Sequence, residues 1–300
     1  MDRMKKNLKS SIVMAVILVL FLPQFAFASD ITPEGMIISD DIGKEVSVTI
    51  SERDIIQELQ SLSNEELRIS GYSNKDIHDI RNVSDEKMLK KARMRTDEEL
   101  RNRGLTEKQI DIIRNESNVV KAASETYGKV TYTVSCSSYT YYSGVTSLKV
   151  RASWKWTIMP ENRFVDIIAS TTSNSDFIKS SATGRVNYRI GKEGKPIAVK
   201  GLTVKTENSG TGTFARITTQ NKFTDTTHPR PTTMFAFDGY ITTSFKATKK
   251  ISSVGISAKY GHSIVVVNPG VSFSKGSASI SFSPSMSIRT GHEAYARLTL

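Results

Sequence analysis

The sequence predicts a mainly β protein, an antiparallel sandwich or barrel preceded by a small α-helical repeat region. The β prediction comes from residues 129–300, where apolar and polar side chains alternate along many short segments. This is the period of a strand with one buried face and one wet face. The helical prediction comes from a motif at residues 63–82 that recurs 33 positions later, at 96–115. Its capping and apolar residues are spaced as in short amphipathic helices.

The N-terminal residues predict export. Residues 3–9 form a positively charged head, and residues 12–22 form an apolar run that is too short to span a bilayer. The small-x-small segment at 26–28 then matches a cleavage site. We therefore expect a signal peptide over residues 1–28 and a secreted or extracellular protein, with cell-wall association as one form of this.

Charge divides the rest of the chain. The whole sequence has a formal net charge of +11 at pH 7. Residues 29–128 carry 15 Lys and Arg against 21 Asp and Glu, whereas residues 129–300 carry 22 against 8. The prediction is thus an acidic helical repeat region at 29–128 and a basic antiparallel β domain at 129–300. Such an asymmetry of charge suggests binding partners of opposite charge. One such partner could lie within the chain itself, with the acidic half docked on the basic half.

Each copy of the repeat predicts two short helices. A Ser or Thr caps the first helix with a Glu three residues later, a glycine ends that helix, and a second Ser or Thr begins the next. These residues are Ser63, Glu66, Gly71 and Ser73 in the first copy and Thr96, Glu99, Gly104 and Thr106 in the second. Two copies are fewer than the roughly three that stacked arrays usually need. The helices are therefore expected to need support from the β region.

The repeated units have the form E-E-L-x-x-x-G-[YL]-[ST]-x-x-x-I-x-x-I-R-N. With a signal peptide before them, they resemble small exported proteins of Gram-positive bacteria that have no assigned activity. The resemblance covers roughly residues 60–130. It implies export and an extracellular setting, and it brings no catalytic or binding residues.

Several segments predict strands. They lie at residues 45–50, 130–136, 148–158, 165–169, 185–190, 197–205, 214–223, 240–248 and 251–259. A helix is expected to begin at 54–59, and residues 171–184 are predicted to be a polar loop. The segment at 148–158 carries both tryptophans on its apolar face, where we expect them to be core residues. The lone Cys136 cannot form an internal disulfide, and its spacing places it on a buried strand face.

The parity of the apolar residues changes between Phe273 and Ala278. A two-residue hairpin loop at 275–276 would restore one apolar face by placing Phe273 opposite Ala278 and Val271 opposite Ile280.

The cationic side of the predicted sheet is the strongest functional signal. Five side chains on the wet side of predicted strands are the candidate anion-binding residues: Lys149, Arg151, Lys155, Arg185 and Arg189. Clustered cations attract polyanions by steering and counterion release. We expect them to bind an anionic cell-envelope polymer or an anionic membrane surface. The alternative is an ordinary solvated surface that protects the sheet from aggregation.

Aromatic side chains suggest a second mode of binding. Tyr139, Tyr141 and Tyr142 are bounded by serines and followed by Gly144, so we expect a loop whose rings can stack on a ligand.

The sequence gives little support to an enzyme. The four histidines show no metal-ligand spacing, and no Gly-x-Ser-x-Gly segment is present. We therefore expect no cofactor and a non-enzymatic role, with the histidines at loops or strand ends. Two alternatives remain open. A membrane-acting, pore-forming or bacteriocin-like protein is suggested by the serine-alternating segment at 271–288, and an envelope hydrolase would need two carboxylates facing one cleft.

Overall fold

A computed structural model of the chain describes residues 36–191, 198–206, 210–224, 231–265, 270–274, 276–283 and 293–300. The predicted signal peptide lies outside the described residues. The helices are α1 (Glu52–Ser61), α2 (Asn64–Ile69), α3 (Asn74–Arg81), α4 (Asp85–Arg93), α5 (Asp97–Asn102), α6 (Glu107–Asn115) and α7 (Val119–Ser124). None of the helices in this part of the chain is long and apolar enough to cross a membrane.

The predicted helix ends are confirmed. Capping boxes begin α2, α3, α5 and α6, and the two glycines that end the first helix of each copy have φ angles of +99° and +103°. The repeat unit also includes one helix more than the motif indicated. Ser51 caps α1 and Ser84 caps α4, at the same 33-residue spacing. The array therefore consists of two three-helix units, α1–α3 and α4–α6, and α7 packs against α4.

The arginine of the I-R-N motif explains why the motif recurs. Arg114 in α6 donates to the backbone oxygens of Arg93 (2.7 Å) and Arg95 (2.5 Å) and to the Asp97 carboxylate (2.8 Å). The equivalent Arg81 in α3 donates to the corresponding carbonyls at the end of α1, those of Gln60 and Leu62, and to Asn64. Each arginine thus satisfies carbonyl groups that the end of a helix leaves without partners.

The strands form two large antiparallel sheets and one hairpin. They are β1 (Ile37–Ile38), β2 (Glu45–Ser51), β3 (Lys129–Tyr142), β4 (Val145–Ile158), β5 (Val165–Thr172), β6 (Ile178–Arg189), β7 (Ala198–Gly201), β8 (Lys205–Thr206), β9 (Gly212–Thr218), β10 (Gln220–Phe223), β11 (Thr232–Ala247), β12 (Ser253–Gly261), β13 (Gly270–Phe273), β14 (Ile280–Ser283) and β15 (Ala294–Thr299). The larger sheet has the order β1-β3-β4-β11-β6-β7, with β2 on β3 and β10 on β11. The smaller sheet has the order β15-β12-β5-β9-β8. The mainly β, sandwich-like prediction is confirmed.

The core lies between the two sheets. Trp154 and Trp156 of β4 are 2% and 1% exposed, and each ring centroid lies 6.0 Å from that of Tyr260 in β12. Tyr132 of β3 stacks on the same ring from 6.5 Å. Cys136 is also buried in this core and unpaired. The alternation over residues 148–158 therefore predicted correctly which side chains of β4 lie on the inner face of the larger sheet.

The helices are inserted between two paired strands. β2 and β3 are hydrogen-bonded neighbours, with Ser51 opposite Lys129, and residues 52–128 leave and re-enter the sheet at that point. The N–H of Glu52 donates to the oxygen of Gly128 at 2.8 Å, which closes the base of the insertion. The boundary proposed at residue 128 stays a prediction, but β1 and β2, which precede it, belong to the larger sheet.

The predicted loop at 171–184 is wrong. β6 begins at Ile178 and pairs with β11 from there to Arg189. The first half of β6 consists mainly of Ser, Ala and Thr, with side chains partly or fully exposed, so no apolar alternation marks it. Backbone pairing with β11, which no local pattern reveals, holds these residues in the sheet.

The predicted hairpin at 271–282 forms with a different register. Phe273 pairs with Ile280 and Val271 with Phe282, two residues farther along than expected. The N–H of Ser274 donates to Ser279, so the loop is longer than two residues. Because the shift is two residues, the apolar side is unchanged. Each strand has four described residues, and the predicted continuation over 284–288 lies outside the described residues.

Gly239 in β11 allows the closest packing in the sandwich. A Cβ there would lie 2.3 Å from Cη2 of Trp154 and 2.4 Å from the backbone oxygen of Arg185. We expect Gly239→Ala to lower the free energy of unfolding by about 1–3 kcal/mol, because the backbone oxygen of a paired strand cannot move aside. Urea denaturation measures this. Gly201→Ala is the control, since a Cβ there meets nothing within 4 Å, and equal midpoints for the two variants would contradict the packing argument.

Candidate functional site

The outer face of the larger sheet brings the predicted cations together. β4 lies between β3 and β11, and its outward side chains include Lys149, Arg151 and Lys155, all exposed. β11 in turn pairs with β6, which places Arg185 opposite Tyr240. We call this surface, defined by Lys149, Arg151, Lys155, Arg185 and Arg189, the cationic face.

Hydroxyl groups separate the cations. Arg151 has Ser135 of β3 on one side and Thr242 of β11 on the other. Lys149 lies between Ser138 and Ser244 in the same way. Uncharged donors and acceptors therefore flank the two cations on both neighbouring strands.

The five cations differ in how free they are. Arg189 is half-buried and forms an ion pair with Asp238 at 2.8 Å, and Asp238 also accepts a hydrogen bond from Asn187. Arg185 donates to the Asn187 side chain at 3.2 Å. By contrast, no ion pair joins Lys149, Arg151 or Lys155 to a carboxylate of the described residues. Arg185 likewise forms no ion pair with a described carboxylate, so the unpaired cations of the face lie on β4 and β6, with Asp238 opposite Lys155.

Tyr240 fixes one of these cations. The Arg151 guanidinium lies over the Tyr240 ring, 3.7 Å from its centroid. A cation–π contact of this kind is worth about 0.5–1 kcal/mol at an exposed site. It holds the guanidinium against the ring of the neighbouring strand.

The tyrosine cluster is not the loop that the sequence predicted. All three residues belong to β3, which turns into β4 through Ser143 and Gly144, both with positive φ. Tyr139 is fully buried and donates its hydroxyl to Ile251 at 2.6 Å, so its ring cannot stack on a ligand. Tyr141 lies beneath the Lys250 ammonium at 5.8 Å, and Tyr142 is 46% exposed.

The helices contact the sandwich away from the cationic face. Arg95 and Arg103, both from the helical region, pair with Glu161 in the turn after β4. Arg103 is buried and also donates to the oxygens of Met159 (2.7 Å) and Thr126 (3.2 Å). The expected docking of the acidic half on the basic half stays a prediction, and in these two ion pairs the helical region supplies the cations and the β region the carboxylate.

A second contact is a buried set of ionisable groups that the sequence did not reveal. Glu52 begins α1, Asp166 lies in β5 and His262 directly follows β12. Nδ1 of His262 lies 2.9 Å from Asp166, and its Nε2 lies 3.6 Å from Glu52. Tyr260 donates its hydroxyl to Asp166 at 2.7 Å. We call Glu52, His262 and Asp166 the buried triad.

Two members of the triad, His262 and Glu52, have strongly shifted pKa values. Burial alone would lower the pKa of His262, but the charge of Asp166 and the contacts with Asp166 and Glu52 raise it to about 10. Burial alone would raise the pKa of Glu52, but its contact with His262 and the backbone N–H groups of Asn162 and Glu161 lower it to about 2. The three side chains have no exposed surface, so they join the helices to the sandwich instead of meeting a ligand.

Other chemical arrangements are not assembled. No group of three or more metal-ligating side chains occurs among the described residues. His228 and His292 lie outside them, and His78 is exposed on α3. Two surface pockets are formed by described residues. The lining of the first, at β7 and β8, has no carboxylate, and that of the second, beside α4, has one, Glu86. Neither therefore offers the carboxylate pair that a glycosidase requires.

The comparisons with known proteins are of low similarity. No protein-family model matches the sequence, and no curated protein matches it. Similar solved structures include the C-terminal domain of the Streptococcus agalactiae AgI/II polypeptide BspA, with 7% identity, a TM-score of 0.24, 45% of this chain and 53% of that chain covered. They also include the collagen-binding domain from a Staphylococcus aureus adhesin, with 10% identity, a TM-score of 0.22, and 38% of this chain and 75% of that chain covered. A third is a pore-forming protein, with 7% identity, a TM-score of 0.26, and 57% of this chain and 84% of that chain covered. This chain spans about half the length of the first, and likeness at these TM-scores carries no functional argument.

The buried triad predicts how stability depends on pH. His262, with its raised pKa, stabilises the fold fully below its unfolded value near 6.5, and this contribution is lost as the pH rises toward 10. Glu52, with its lowered pKa, contributes its full stabilisation of the fold above about pH 4.5. This stabilisation is lost as the pH falls toward 2. Both contributions are therefore complete between about pH 4.5 and 6.5.

Replacing the histidine tests this. We expect His262→Gln to lower the free energy of unfolding by about 3–5 kcal/mol at pH 5.5, because two buried carboxylates lose their counter-charge. The decline of stability between pH 6.5 and 10 should also become shallower. Urea unfolding at several pH values measures both effects. His78→Gln is the matched control, and a His262→Gln profile parallel to it would refute the assignment.

Proposed function

We propose that this chain is an exported, non-enzymatic protein of the cell surface or its surroundings, and that the cationic face binds an anionic polymer of the cell envelope. The observation that carries the proposal is the row of exposed cations on β4. Lys149, Arg151 and Lys155 point the same way from one rigid strand and form no ion pair with a described carboxylate.

The geometry favours a long ligand over a small one. Alternate residues along a strand are about 7 Å apart, so Lys149 and Lys155 are separated by about 20 Å. A single small anion cannot meet both, whereas a polymer with repeated charges can.

The strength of binding comes chiefly from charge. A polyanion that meets these side chains releases condensed counterions, which makes affinity fall steeply with salt. Serine and threonine hydroxyls on β3 and β11 supply hydrogen bonds between the charges. Arg185 extends the face on β6, while Arg189 contributes less because Asp238 already neutralises it.

Charge reversal on β4 tests the proposal. In the full mature chain, Lys149→Glu with Arg151→Glu and Lys155→Glu should reduce binding to Gram-positive cell walls at least about tenfold at low salt. The matched control is Lys75→Glu with Lys91→Glu and Lys108→Glu, which makes the same change in net charge at exposed helical positions. Co-sedimentation measures the bound fraction at low and high salt.

A comparison of binding to intact walls, stripped walls and lipid vesicles identifies the ligand. Walls stripped of their anionic polymers should no longer bind the unmodified protein, and vesicles of anionic lipid at equal charge density should bind it more weakly than intact walls. Equal losses in the β4 variant and the control would mean that only net charge matters and would refute a site on the face. Stronger binding to vesicles than to walls would favour a membrane surface and overturn the polymer.

A further inference from the structure

A pocket of about 320 Å³ lies where the chain crosses from the larger sheet to the smaller one. β7 is the edge strand of the larger sheet and β8 the edge strand of the smaller, and residues 202–204 connect them. The described lining comes from β6, β7, the connecting segment, β8, β9 and β10, and Tyr188 is one of the two residues that β6 contributes. This volume falls within the range of small-molecule sites in proteins, about 300–1,000 Å³.

Three cations line this pocket. Lys205 of β8 pairs with Phe214 of β9, so both side chains lie on the same face as Arg216, two residues farther along β9. Lys200 of β7 completes the set, with its ammonium 4.4 Å from the centroid of the Phe223 ring. No carboxylate stands among the described residues of the lining. The two lysines therefore suit the pocket to an anionic ligand.

The remaining lining suits an alcohol-rich body attached to that charge. Thr203, Thr218 and Asn221 offer side-chain donors and acceptors, and the rings of Tyr188 and Phe214 offer apolar surface. Tyr188 donates its hydroxyl to the Thr218 oxygen at 2.8 Å, which holds its ring in place. A few polar groups set among apolar walls are the usual composition of a specific small-molecule site.

We propose that this pocket binds a phosphate ester of monosaccharide size, with Lys200 and Lys205 on the phosphate and the threonine, asparagine and aromatic side chains on the sugar. Lysines are common ligands of phosphate groups, and several cations suit a dianion better than the single charge of a carboxylate. The site goes beyond the polymer-binding face, because it is a concave pocket at the edge strands β7 and β8. It adjoins that face, since Gly201 in its wall pairs with Arg185.

Calorimetric titration of the full mature chain tests this site with four probes: glucose 1-phosphate, inorganic phosphate, glucose and glucuronate. Glucose 1-phosphate should bind at least about tenfold more tightly than each of the others, as expected when both a charged and a polar set of contacts are made. Lys200→Gln with Lys205→Gln should weaken it at least about tenfold. Lys75→Gln with Lys108→Gln is the matched control and should bind as the unmodified chain does.

The outcomes separate the parts of the proposal. Inorganic phosphate binding as tightly as glucose 1-phosphate would overturn the sugar contacts, and glucuronate binding as tightly would overturn the preference for phosphate. No binding, or binding unchanged in the Lys200→Gln, Lys205→Gln variant, would overturn the site. Protection of Lys200 and Lys205 from acetylation by glucose 1-phosphate locates the ligand independently. The β4 charge-reversal variant should still bind glucose 1-phosphate, so failure of the polymer proposal is distinguishable from failure of this one.

Discussion

The contact between His262 and the two carboxylates beside it connects the main parts of the molecule. Asp166 and His262 both come from the smaller sheet, and Glu52 comes from the start of the helical insertion. Glu52 also accepts hydrogen bonds from the turn that follows β4 in the larger sheet. Three parts of the fold therefore share one set of buried charges. Buried ion pairs contribute little net stability relative to apolar packing, but breaking one is costly, so this set specifies how the parts fit together.

The same constraint leaves the cationic face uncovered. The helices are held at the end of the sandwich by Glu52 and by the Arg95 and Arg103 pairs with Glu161, and the outer side chains of β4 stay exposed. Charge compensation in the described β region follows this division, since Glu161, Asp166, Asp176 and Glu293 all have partners away from the face. Of the carboxylates that the structure describes in this region, only Asp238 lies on the face itself, where it stands opposite Lys155 and pairs with Arg189.

The sequence predicted the structural features that depend on interactions within a few residues. The capping residues of the repeat and the alternation around the two tryptophans act within a few residues, and both were read correctly. The strand order could not be read, because β4, β11 and β6 become neighbours across long stretches of chain. The sequence therefore placed the five cations on the solvent-facing sides of predicted strands, but it did not show that they lie on one face of one sheet. The buried triad takes one residue from each of three distant elements, and the pocket at β7–β8 depends on where the chain changes sheets, so neither leaves a motif.

The insertion of the helices between β2 and β3 has a consequence for how the molecule folds. Pairing two strands across residues 52–128 by random search would be slow, because a long flexible segment must first bring its ends together. Here the intervening segment is built from short helices with local contacts, which form quickly. Once it is folded, its two ends lie within one hydrogen bond of each other, from Glu52 to Gly128. In the folded chain the helical array, supported by the sandwich, thus holds β2 and β3 aligned at their base, with Ser51 opposite Lys129.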